Sequence, residues 1–278
     1  MSSKIYASEH STPKRLGQPK SCGYKRAMQD LLKCAVALAA QAASAINDIR
    51  AAGFVVETKD DATPVTLADQ RAEAIITAGL RAATPDIPVV AEEEVAAGHR
   101  IMPQARYWLV DPLDGTREFA AGRDEFAVCI GLIDQGVPVL GAVASPALGD
   151  LHFGLVGQGA WRRHNGREER IFCRKAPSEG LTVFASRHYQ DAPELKDCLA
   201  AYKVAHLTNI GSALKFLRLA EGVADFYPRL GTTMEWDTAA PQAVLEAAGG
   251  VVLTPEGERL CYGKPEWRNT PFFAWGVR

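Results

Sequence analysis

The spacing of apolar residues in the first part of this chain predicts two helices. Between positions 24 and 52 apolar residues recur every three or four residues, as on one face of a helix, and Gly53 follows as a plausible stop. A second helix is predicted from Thr66 to about Arg81, with Asp69 placed to complete a capping box. Residues 1–22 are polar and are expected to form a flexible tail.

Short β-rich runs dominate the rest of the chain. Strands are predicted at 87–91, 107–110, 126–134, 137–145, 151–155, 160–163, 181–185, 224–227, 251–254 and 272–275, and helices at 191–201, 212–221 and 238–248. Gln135-Gly136 is typical of a hairpin turn, and residues 167–178 are predicted to be a polar connection. This order predicts layered α+β structure with mixed sheets, in two lobes over 23–147 and 148–278.

The composition narrows the class of protein without defining its chemistry. With 278 residues, 47% of them hydrophobic and 23% charged, the chain has the balance of an ordinary globular protein with an ample core. Its formal net charge of −2 gives no reason to expect binding to a nucleic-acid polymer. The six cysteines include no Cys-x-x-Cys pair, which favours reduced core thiols over a zinc or redox site.

Two further features of the sequence favour a cytoplasmic location. The apolar segment from Cys34 to Ile46 is too short to cross a membrane. The N-terminal residues show no apolar stretch typical of a secretory signal. We therefore expect a cytoplasmic protein without a transmembrane segment, and leave open peripheral attachment to the inner membrane and the choice between monomer and homodimer.

The stretch Asp111-Pro112-Leu113-Asp114-Gly115-Thr116, at the end of an apolar run, is the most informative part of the sequence. Two carboxylates this close repel each other unless a cation lies between them, and oxygen ligands suit a hard ion such as Mg²⁺. The backbone N–H groups of Gly115 and Thr116 suit a phosphate. The motif favours a phosphoryl-transfer site, although Asp-Pro-x-Asp-Gly is also an ordinary surface turn.

Three further acidic positions have both a functional and a structural interpretation. Glu92 begins a run of glutamates after a predicted strand, where it could join Asp111 at a sheet edge or lie in a solvated loop. Asp237 could bind a metal, cap the helix that follows it, or do both. Asp69 could serve only its helix dipole, or accept the hydroxyl hydrogen of Thr116 and help to orient an attacking water.

Four motifs in order make the chain similar to the inositol monophosphatase superfamily. They are Lys59-x-Asp61-x-Thr63-Pro64-Val65-Thr66-x-Ala68-Asp69, Ala91-Glu92-Glu93, the Asp111–Thr116 stretch and Trp236-Asp237-x-Ala239-Ala240. The similarity runs from about residue 25 to the C-terminus. It implies a layered αβαβα sandwich of the inositol monophosphatase and fructose-1,6-bisphosphatase type, and a Mg²⁺-dependent, lithium-sensitive phosphomonoesterase.

Within this superfamily the chain most resembles the bacterial 3′(2′),5′-bisphosphate nucleotidases. The residues behind this resemblance are Ala185-Ser186-Arg187-His188, Gly211-Ser212-x-x-Lys215-Phe216, Ala220-Glu221-Gly222-x-Ala224-Asp225-x-Tyr227-Pro228-Arg229 and Met234-Glu235-Trp236-Asp237. It implies that the nucleotide and its second phosphate contact Ser186, Arg187, His188, Ser212, Lys215 and Arg229. Cations placed in this way suit an anionic ligand, while each alone could be an ordinary surface charge.

The resemblance also implies the metal ligands and the catalytic group. Glu92, Asp111 and the Leu113 carbonyl would bind one Mg²⁺, while Asp111, Asp114 and Asp237 would bind a second. A third, weaker ion would lie near Glu92 and Asp69. Thr116, paired with Asp69, would orient or deprotonate the attacking water. The phosphate and substrate would contact Gly115, Thr116 and Asp237. The first lobe would thus bind metal and the second would set specificity.

The chain departs from the family pattern at three places. Pro241 stands where a Gly is usual, and we expect it to fit a first helical turn and to narrow the substrate side of that turn. Thr232 replaces a Pro, and Asp124-Glu125-Phe126-Ala127 differs from the common Asn-Gly-Glu-Phe-Thr. None of these positions is an expected metal ligand, so they bear on the substrate.

The leading hypothesis is a Mg²⁺-dependent phosphatase that converts adenosine 3′,5′-bisphosphate into AMP and phosphate. One alternative is a phosphatase for inositol phosphate or another sugar phosphate, for which Arg187 and Lys215 would be dispensable. The other is a non-catalytic module that binds a cation or a nucleotide without turnover. Glu93 and Asp61 could each support the site or stabilise its loop.

Overall fold

The computed structural model describes residues 22–58, 64–187 and 192–278. The helices in these ranges are α1 Cys22–Ala52, α2 Leu67–Ala83, α3 Glu92–Ala96, α4 Thr116–Ala120, α5 Pro193–Leu199, α6 Leu214–Ala220 and α7 Glu235–Ala247. The strands are β1 Val56–Thr58, β2 Pro64–Thr66, β3 Val89–Ala91, β4 Arg106–Asp114, β5 Ala127–Asp134, β6 Val137–Ser145, β7 Asp150–Leu155, β8 Gly159–His164, β9 Arg167–Ile171, β10 Leu181–Ser186, β11 Val204–Ile210, β12 Phe226–Arg229, β13 Val251–Leu253 and β14 Phe272–Trp275.

Two mixed sheets organise these elements. The larger sheet has the order β3-β4-β5-β6-β7-β8-β9; β3 and β4 are parallel and the remaining pairs are antiparallel. The smaller sheet has the order β11-β10-β12-β14-β13, with β10 parallel to both of its neighbours. A separate antiparallel pair is formed by β1 and β2.

Helices and sheets alternate in layers. On one face of the larger sheet, α1 and α2 share a buried cluster with it that includes Ile76 and Trp108. Between the two sheets lie α6 and α7, in a second cluster that joins Cys129 of the larger sheet to Phe272 of the smaller. On the outer face of the smaller sheet, Cys198 of α5 is buried in a further cluster. This αβαβα arrangement confirms the fold that the resemblance implies.

Two glycines allow α7 to lie directly on the larger sheet. A Cβ on Gly141 would lie 2.2 Å from the Ala240 carbonyl oxygen, and one on Gly131 would lie 2.7 Å from the Ala240 nitrogen. This close approach brings the start of α7, with Asp237, next to β4. Pro241 is buried in the interior of α7. The expectation that it falls in the first turn is therefore wrong, because seven residues into the helix it removes a backbone donor.

The strongest sequence patterns are confirmed, and the polar ones are not. The two N-terminal helices form as α1 and α2, and the β5–β6 turn has Gln135 and Gly136 at φ of 53° and 74°. The predicted polar connection at 167–178 is wrong in its first part, because β9 pairs with β8 as an edge of the larger sheet. Nor do the sequence patterns predict α3, α4 or β11.

The boundary between the sheets does not fall near residue 147. β6 and β7 lie on either side of that position and pair within the larger sheet. The smaller sheet begins with β10, so the chain changes sheet between 171 and 181. The functional division into a metal-binding and a specificity lobe stays a prediction.

Two further expectations concern the ends of the chain and membranes. The predicted tail over 1–22 lies outside the described residues, apart from Cys22 at the start of α1. Within the described ranges, no helix combines the length and the apolar character that a membrane-spanning helix needs.

Candidate active site

The end of β4 presents two aspartates to one cleft. The register between β4 and β5 shifts between Asp111 and Asp114, so β4 is irregular at the Asp-Pro-Leu-Asp stretch. Irregularities of this kind redirect side chains, and both aspartates line the cleft. Asp111 is only 2% exposed, and its Oδ1 accepts a 2.9 Å hydrogen bond from the Leu113 N–H.

Glu92 reaches the same cleft from the neighbouring strand, β3, as the first residue of α3. The buried Glu73 of α2 fixes this turn, because its two oxygens accept hydrogen bonds of 2.8 and 2.9 Å from the N–H groups of Glu93 and Glu94. Burial of Glu73, the largest effect, raises its pKa to about 7. The glutamate run is thus a helical turn held by hydrogen bonds to Glu73 of α2, and not a solvated loop.

Asp237 lies in the first turn of α7 and faces the cleft. Its Oδ2 accepts a 2.9 Å hydrogen bond from the Met234 N–H, so it caps the helix. The sequence presents capping and metal binding as alternatives that can coexist. The structure shows the cap, and the position of Asp237 on the cleft wall leaves its other oxygen available.

Asp69 and Thr116 are in direct contact, 47 residues apart in the chain. The Thr116 Oγ1 lies 3.0 Å from the Asp69 Oδ1 and 3.0 Å from the Leu113 carbonyl oxygen, so its single hydrogen has two acceptors. The other oxygen of Asp69 accepts hydrogen bonds of 2.7 Å from both the N–H and the hydroxyl of Thr66. Burial raises the pKa of Asp69 despite these donors. Asp69 therefore caps its helix and also holds Thr116.

The acids of the cleft repel one another. Burial raises the pKa of Asp111 well above its usual value, and the charges of the other three carboxylates raise it further. Burial, followed by repulsion from Asp114 and Glu92, does the same to the pKa of Asp237. The pKa of Asp114 is also raised by burial, although hydrogen bonding by Ser212 opposes the shift. Confined negative charge of this kind attracts a cation.

The donor chemistry of the cleft fits Mg²⁺. Among the described residues, one oxygen each of Asp111, Asp114 and Asp237 takes no protein hydrogen bond. Carboxylate oxygens are the ligands this ion prefers. Within the described part of the chain, the His, Cys, Asp and Glu side chains form no group of three or more that is close enough to hold a metal ion by itself. The implied ligand set therefore stays a prediction supported by donor type and a shared cleft.

Gly115 shapes the turn between the second aspartate and Thr116. Its φ is +96°, in the left-handed region that favours glycine, and a Cβ there would lie 2.9 Å from the Glu125 carbonyl oxygen. Gly115 and Thr116 both line the cleft. Contact of their amides with phosphate stays a prediction.

Two of the predicted cations line the cleft. Lys215 is buried and donates to the carbonyl oxygens of Ser212 at 2.6 Å and Ile210 at 3.2 Å. Burial lowers its pKa to about 8. Arg229 donates to the Thr232 carbonyl oxygen at 2.9 Å. Both side chains are therefore held in place at the wall of the cleft.

Arg187 lies differently. Its Nη2 donates to both carboxylate oxygens of Glu125 at 2.5 Å, and Arg187 is not among the described residues that line the cleft. Glu125 also accepts a 3.3 Å hydrogen bond from the Gly211 N–H. The guanidinium thus has a protein counter-charge, and contact between Arg187 and the substrate stays a prediction. His188 lies outside the described residues.

The two predicted serines have separate surroundings. Ser186, at the end of β10, lines the cleft. The Ser212 hydroxyl donates to the Asp114 Oδ2 at 2.6 Å, and the Ala213 N–H donates to the same oxygen. Ser212 therefore orients an acid of the cleft as well as lining it. The cleft has a volume of about 480 Å³, within the range of sites for small organic ligands.

The sequence profile described as "Inositol monophosphatase family" matches residues 27–271. This chain belongs to the inositol monophosphatase family. It is 44% identical to the 3′(2′),5′-bisphosphate nucleotidase CysQ of Escherichia coli strain K12 over 218 residues, 78% of this chain and 87% of that protein. The CysQ nucleotidase of Aggregatibacter actinomycetemcomitans is 33% identical over 254 residues, 89% of this chain and 93% of that one.

Solved structures of the inositol monophosphatase family share the fold. CysQ from Bacteroides thetaiotaomicron superposes with a TM-score of 0.76 at 29% identity, covering 90% of this chain and 98% of that one. An inositol monophosphatase from Zymomonas mobilis superposes with a TM-score of 0.73 at 27% identity, covering 91% and 94%.

Some cleft residues of this inositol monophosphatase family member escape the sequence reasoning. Arg117, Glu118 and Arg268 line the cleft. The first two follow Thr116 directly, so their position after a phosphate-binding turn could have indicated them. Arg268 stands outside every motif, and only its place in the fold reveals it. Glu125 stands in the sequence only within a departure from the family pattern, and no motif there indicates its pairing with Arg187.

Proposed function

We propose that this protein is a Mg²⁺-dependent phosphatase that converts adenosine 3′,5′-bisphosphate into AMP and phosphate. The observation that supports this most directly is a set of mutually repelling carboxylates, with Asp111 buried among them, in one cleft with Thr116, which is bonded to Asp69. Relatives that are named bisphosphate nucleotidases align with more than three quarters of the chain. Acid cluster, hydroxyl pair and relatives thus agree on hydrolysis of a phosphate monoester.

Five acids and one carbonyl would hold the ions. Glu92, Asp111 and the Leu113 carbonyl would bind one Mg²⁺, and Asp111, Asp114 and Asp237 would bind a second. A third, weaker ion would lie near Asp69 and Glu92. Bound in this way, such ions polarise the phosphate, lower the pKa of water and stabilise the leaving oxygen.

Thr116 and Asp69 would position the attacking water. The Thr116 hydroxyl can rotate between two acceptors, because Asp69 and the Leu113 carbonyl oxygen are equally close to its Oγ1. The raised pKa of the buried Asp69 suits it to receive a proton through the hydroxyl. Gly115 and Thr116 would hold the phosphate through their amides, so that positioning supplies much of the acceleration.

The remainder of the substrate would extend toward the cations of the opposite elements. Lys215 and Arg229 line the cleft together with Ser186 and Ser212. Placed cations are required because the chain as a whole has a net charge of −2 and does not attract an anion. The second, dianionic phosphate would bind at these cations, while the scissile phosphate would lie at the acids.

A substrate panel tests this function. Purified protein with Mg²⁺ is expected to release phosphate from adenosine 3′,5′-bisphosphate far faster than from inositol 1-phosphate, and EDTA is expected to stop release. Thr116→Ala is expected to lower kcat by roughly 100-fold or more. The matched control Thr208→Ala, on the exposed face of edge strand β11, is expected to leave kcat unchanged.

Two outcomes would contradict the proposal. A preference for inositol 1-phosphate would place the chain with the sugar-phosphate phosphatases, as its likeness to the Zymomonas mobilis enzyme allows. Binding of the bisphosphate without turnover, with Thr116→Ala indistinguishable from the parent protein, would indicate a non-catalytic module.

A further inference from the structure

The cleft has a cationic wall residue that none of the sequence motifs contains. Arg268 directly follows the 3₁₀ turn Pro265–Trp267 and precedes β14, and it lines the cleft with Thr233, Met234 and Arg229. Its side chain is 63% exposed. The segment 263–269 that presents it is called the rim loop below.

Arg268 is less committed to protein partners than the cations indicated by the motifs. Arg187 is paired with Glu125, and the buried Lys215 donates to two carbonyl oxygens. The only ion pair of Arg268 among the described residues is with Glu266, at 3.4 Å, and Glu266 is 79% exposed. Exposed pairs of this kind contribute little, so the Arg268 guanidinium can exchange Glu266 for a stronger anion.

The rim loop is fixed to the first turn of α7. Arg268 forms an antiparallel bridge with Met234. The buried Asn269 donates through its N–H to the Thr233 carbonyl at 2.9 Å and through its Nδ2 to the Met234 carbonyl at 2.8 Å. Bridged residues lie about 5 Å apart. The Arg268 backbone is thus about 5 Å from that of Met234, and Asp237 follows Met234 by about one helical turn.

The backbone of the rim loop is strained where it presents Arg268. Glu266 and Trp267 both have left-handed φ, at 55° and 57°. The loop keeps this shape because Trp267 is buried in edge contact with Tyr107, and because the fully buried Glu235 accepts hydrogen bonds of 2.9 Å from the N–H groups of residues 263 and 264. Strained backbone that is held in place by its surroundings in this way is typical of ligand-binding sites.

We propose that Arg268 binds the non-scissile phosphate of the substrate and so selects bisphosphates over monophosphates. This inference rests on the proposed function. Arg117 also lines the cleft, but it follows Thr116 directly and lies on the side of the scissile phosphate. Arg268 is held instead beside Met234, three residues before Asp237, and its side chain is largely exposed. Its planar guanidinium can grip a phosphate with two hydrogen bonds, which an ammonium cannot do in the same way.

The test compares two substrates that differ in one phosphate, adenosine 3′,5′-bisphosphate and adenosine 3′-monophosphate, with Mg²⁺ present. Arg268→Met is expected to raise KM for the bisphosphate by roughly 10- to 100-fold, the loss of a charge-assisted contact. The kcat for the bisphosphate and the KM for the monophosphate are expected to change little. Arg268→Lys is expected to recover part of the lost affinity. The control Arg163→Met removes an arginine whose side chain is 40% exposed and which pairs with Glu168 on the remote β8–β9 hairpin; it is expected to leave both KM values unchanged.

The outcomes separate this inference from the proposed function. If the parent protein prefers the bisphosphate and Arg268→Met retains that preference, the role of Arg268 is wrong while the function stands. Equal losses on both substrates would assign Arg268 a structural role and also overturn the inference. A parent protein without activity on the bisphosphate would overturn the proposed function and this inference together.

Discussion

Several single residues in the cleft perform two tasks that sequence reasoning presents as alternatives. Asp69 caps α2 through Thr66 and holds the Thr116 hydroxyl. Asp237 caps α7 and faces the cleft. A carboxylate has two oxygens with several lone-pair directions, so one oxygen can satisfy the helix while the other faces a ligand. Capping therefore supports the functional interpretation here, because it fixes the direction of the second oxygen.

Asp111 is the residue whose replacement separates catalysis from folding. Asp111→Asn keeps the size and the hydrogen bond from Leu113 but removes the charge needed for a shared ligand. Activity is expected to fall by roughly 100-fold or more. In metal-free buffer at pH 7 the thermal midpoint is expected to rise, because the folded state raises the pKa of Asp111 and so disfavours its ionised form. Phosphate release and thermal unfolding measure the two effects.

The matched control for Asp111 is Asp30→Asn, on the exposed face of α1 beside Lys33. It is expected to change neither activity nor the midpoint appreciably. Activity close to that of the parent protein in Asp111→Asn would show that the metal assignment is wrong. A lower midpoint in metal-free buffer would show that Asp111 stabilises the fold in its charged form.

Lys215 gives the site a predicted pH dependence. Burial lowers the pKa of Lys215 to about 8, so the ammonium is charged below that pH and neutral above it. If Lys215 attracts the substrate, KM for the bisphosphate is expected to be constant below about pH 8 and to rise about tenfold per pH unit above it. Lys215→Arg, which stays charged, is expected to remove the rise. A parent KM that stays flat to about pH 9.5 would exclude this role.

At the scale of elements, α7 determines the geometry of the cleft. It rests on glycines 131 and 141 of the larger sheet, where a Cβ would collide with its backbone. It contributes Asp237 from its first turn and, through Met234, it fixes the rim loop. Pro241 interrupts the hydrogen bonding of this same helix, because the residue four positions earlier is Asp237 and its carbonyl has no helical N–H partner.

Replacing Pro241 measures the cost of that interruption. Pro241→Ala restores the N–H donor for the Asp237 carbonyl and relieves about 3 kcal/mol of helix penalty, less the cavity left by a buried ring, for a net gain of about 1–2 kcal/mol. Urea unfolding measures the change. The control Pro193→Ala, at the first position of α5 where proline fits, is expected to give no gain. A loss of stability in Pro241→Ala would show that ring packing outweighs the missing hydrogen bond.

The elements that could be predicted from the sequence are those with strong periodic patterns. α1 and the β5–β6 hairpin follow from apolar spacing and Gln135-Gly136, because their pattern is local. β9 was missed because its first four residues, Arg-Glu-Glu-Arg, are exposed, and an edge strand with solvent on both faces has no apolar alternation. α3 was missed because its acids suggested a loop, and Glu73, which anchors it, lies 20 residues away.

The candidate site divides along the same line. The acids at 92, 111, 114 and 237 could be predicted from short motifs, because each motif contains both the acid and the neighbouring residues that form its turn. Their partners could not be, because the contacts join distant parts of the chain: Ser212 to Asp114 over 98 residues and Arg187 to Glu125 over 62. Arg268 reaches the cleft only through a bridge between two loops, which no local pattern records.

At the scale of the whole molecule, polar contacts at and beside the cleft join the two sheets. Asp114 of the larger sheet accepts hydrogen bonds from Ser212 and Ala213, just before α6. Beside it, Glu125 pairs with Arg187, which directly follows β10, and binds the Gly211 N–H. These contacts link the relative position of the sheets to the acids of the cleft. Weakening the Glu125–Arg187 pair should therefore lower the free energy of unfolding.

A double-mutant cycle on Glu125 and Arg187 tests this link. Urea unfolding of the parent, Glu125→Gln, Arg187→Met and the double variant is expected to give a coupling energy of about 1 kcal/mol, because the pair is short but its side chains are 25% and 38% exposed. The exposed pair of Arg163 and Glu168, treated in the same way, is expected to give less. Since Glu125 also binds Gly211, its single substitution should cost more than that of Arg187. Strictly additive losses would mean that the Glu125–Arg187 pair does not help to hold the sheets together.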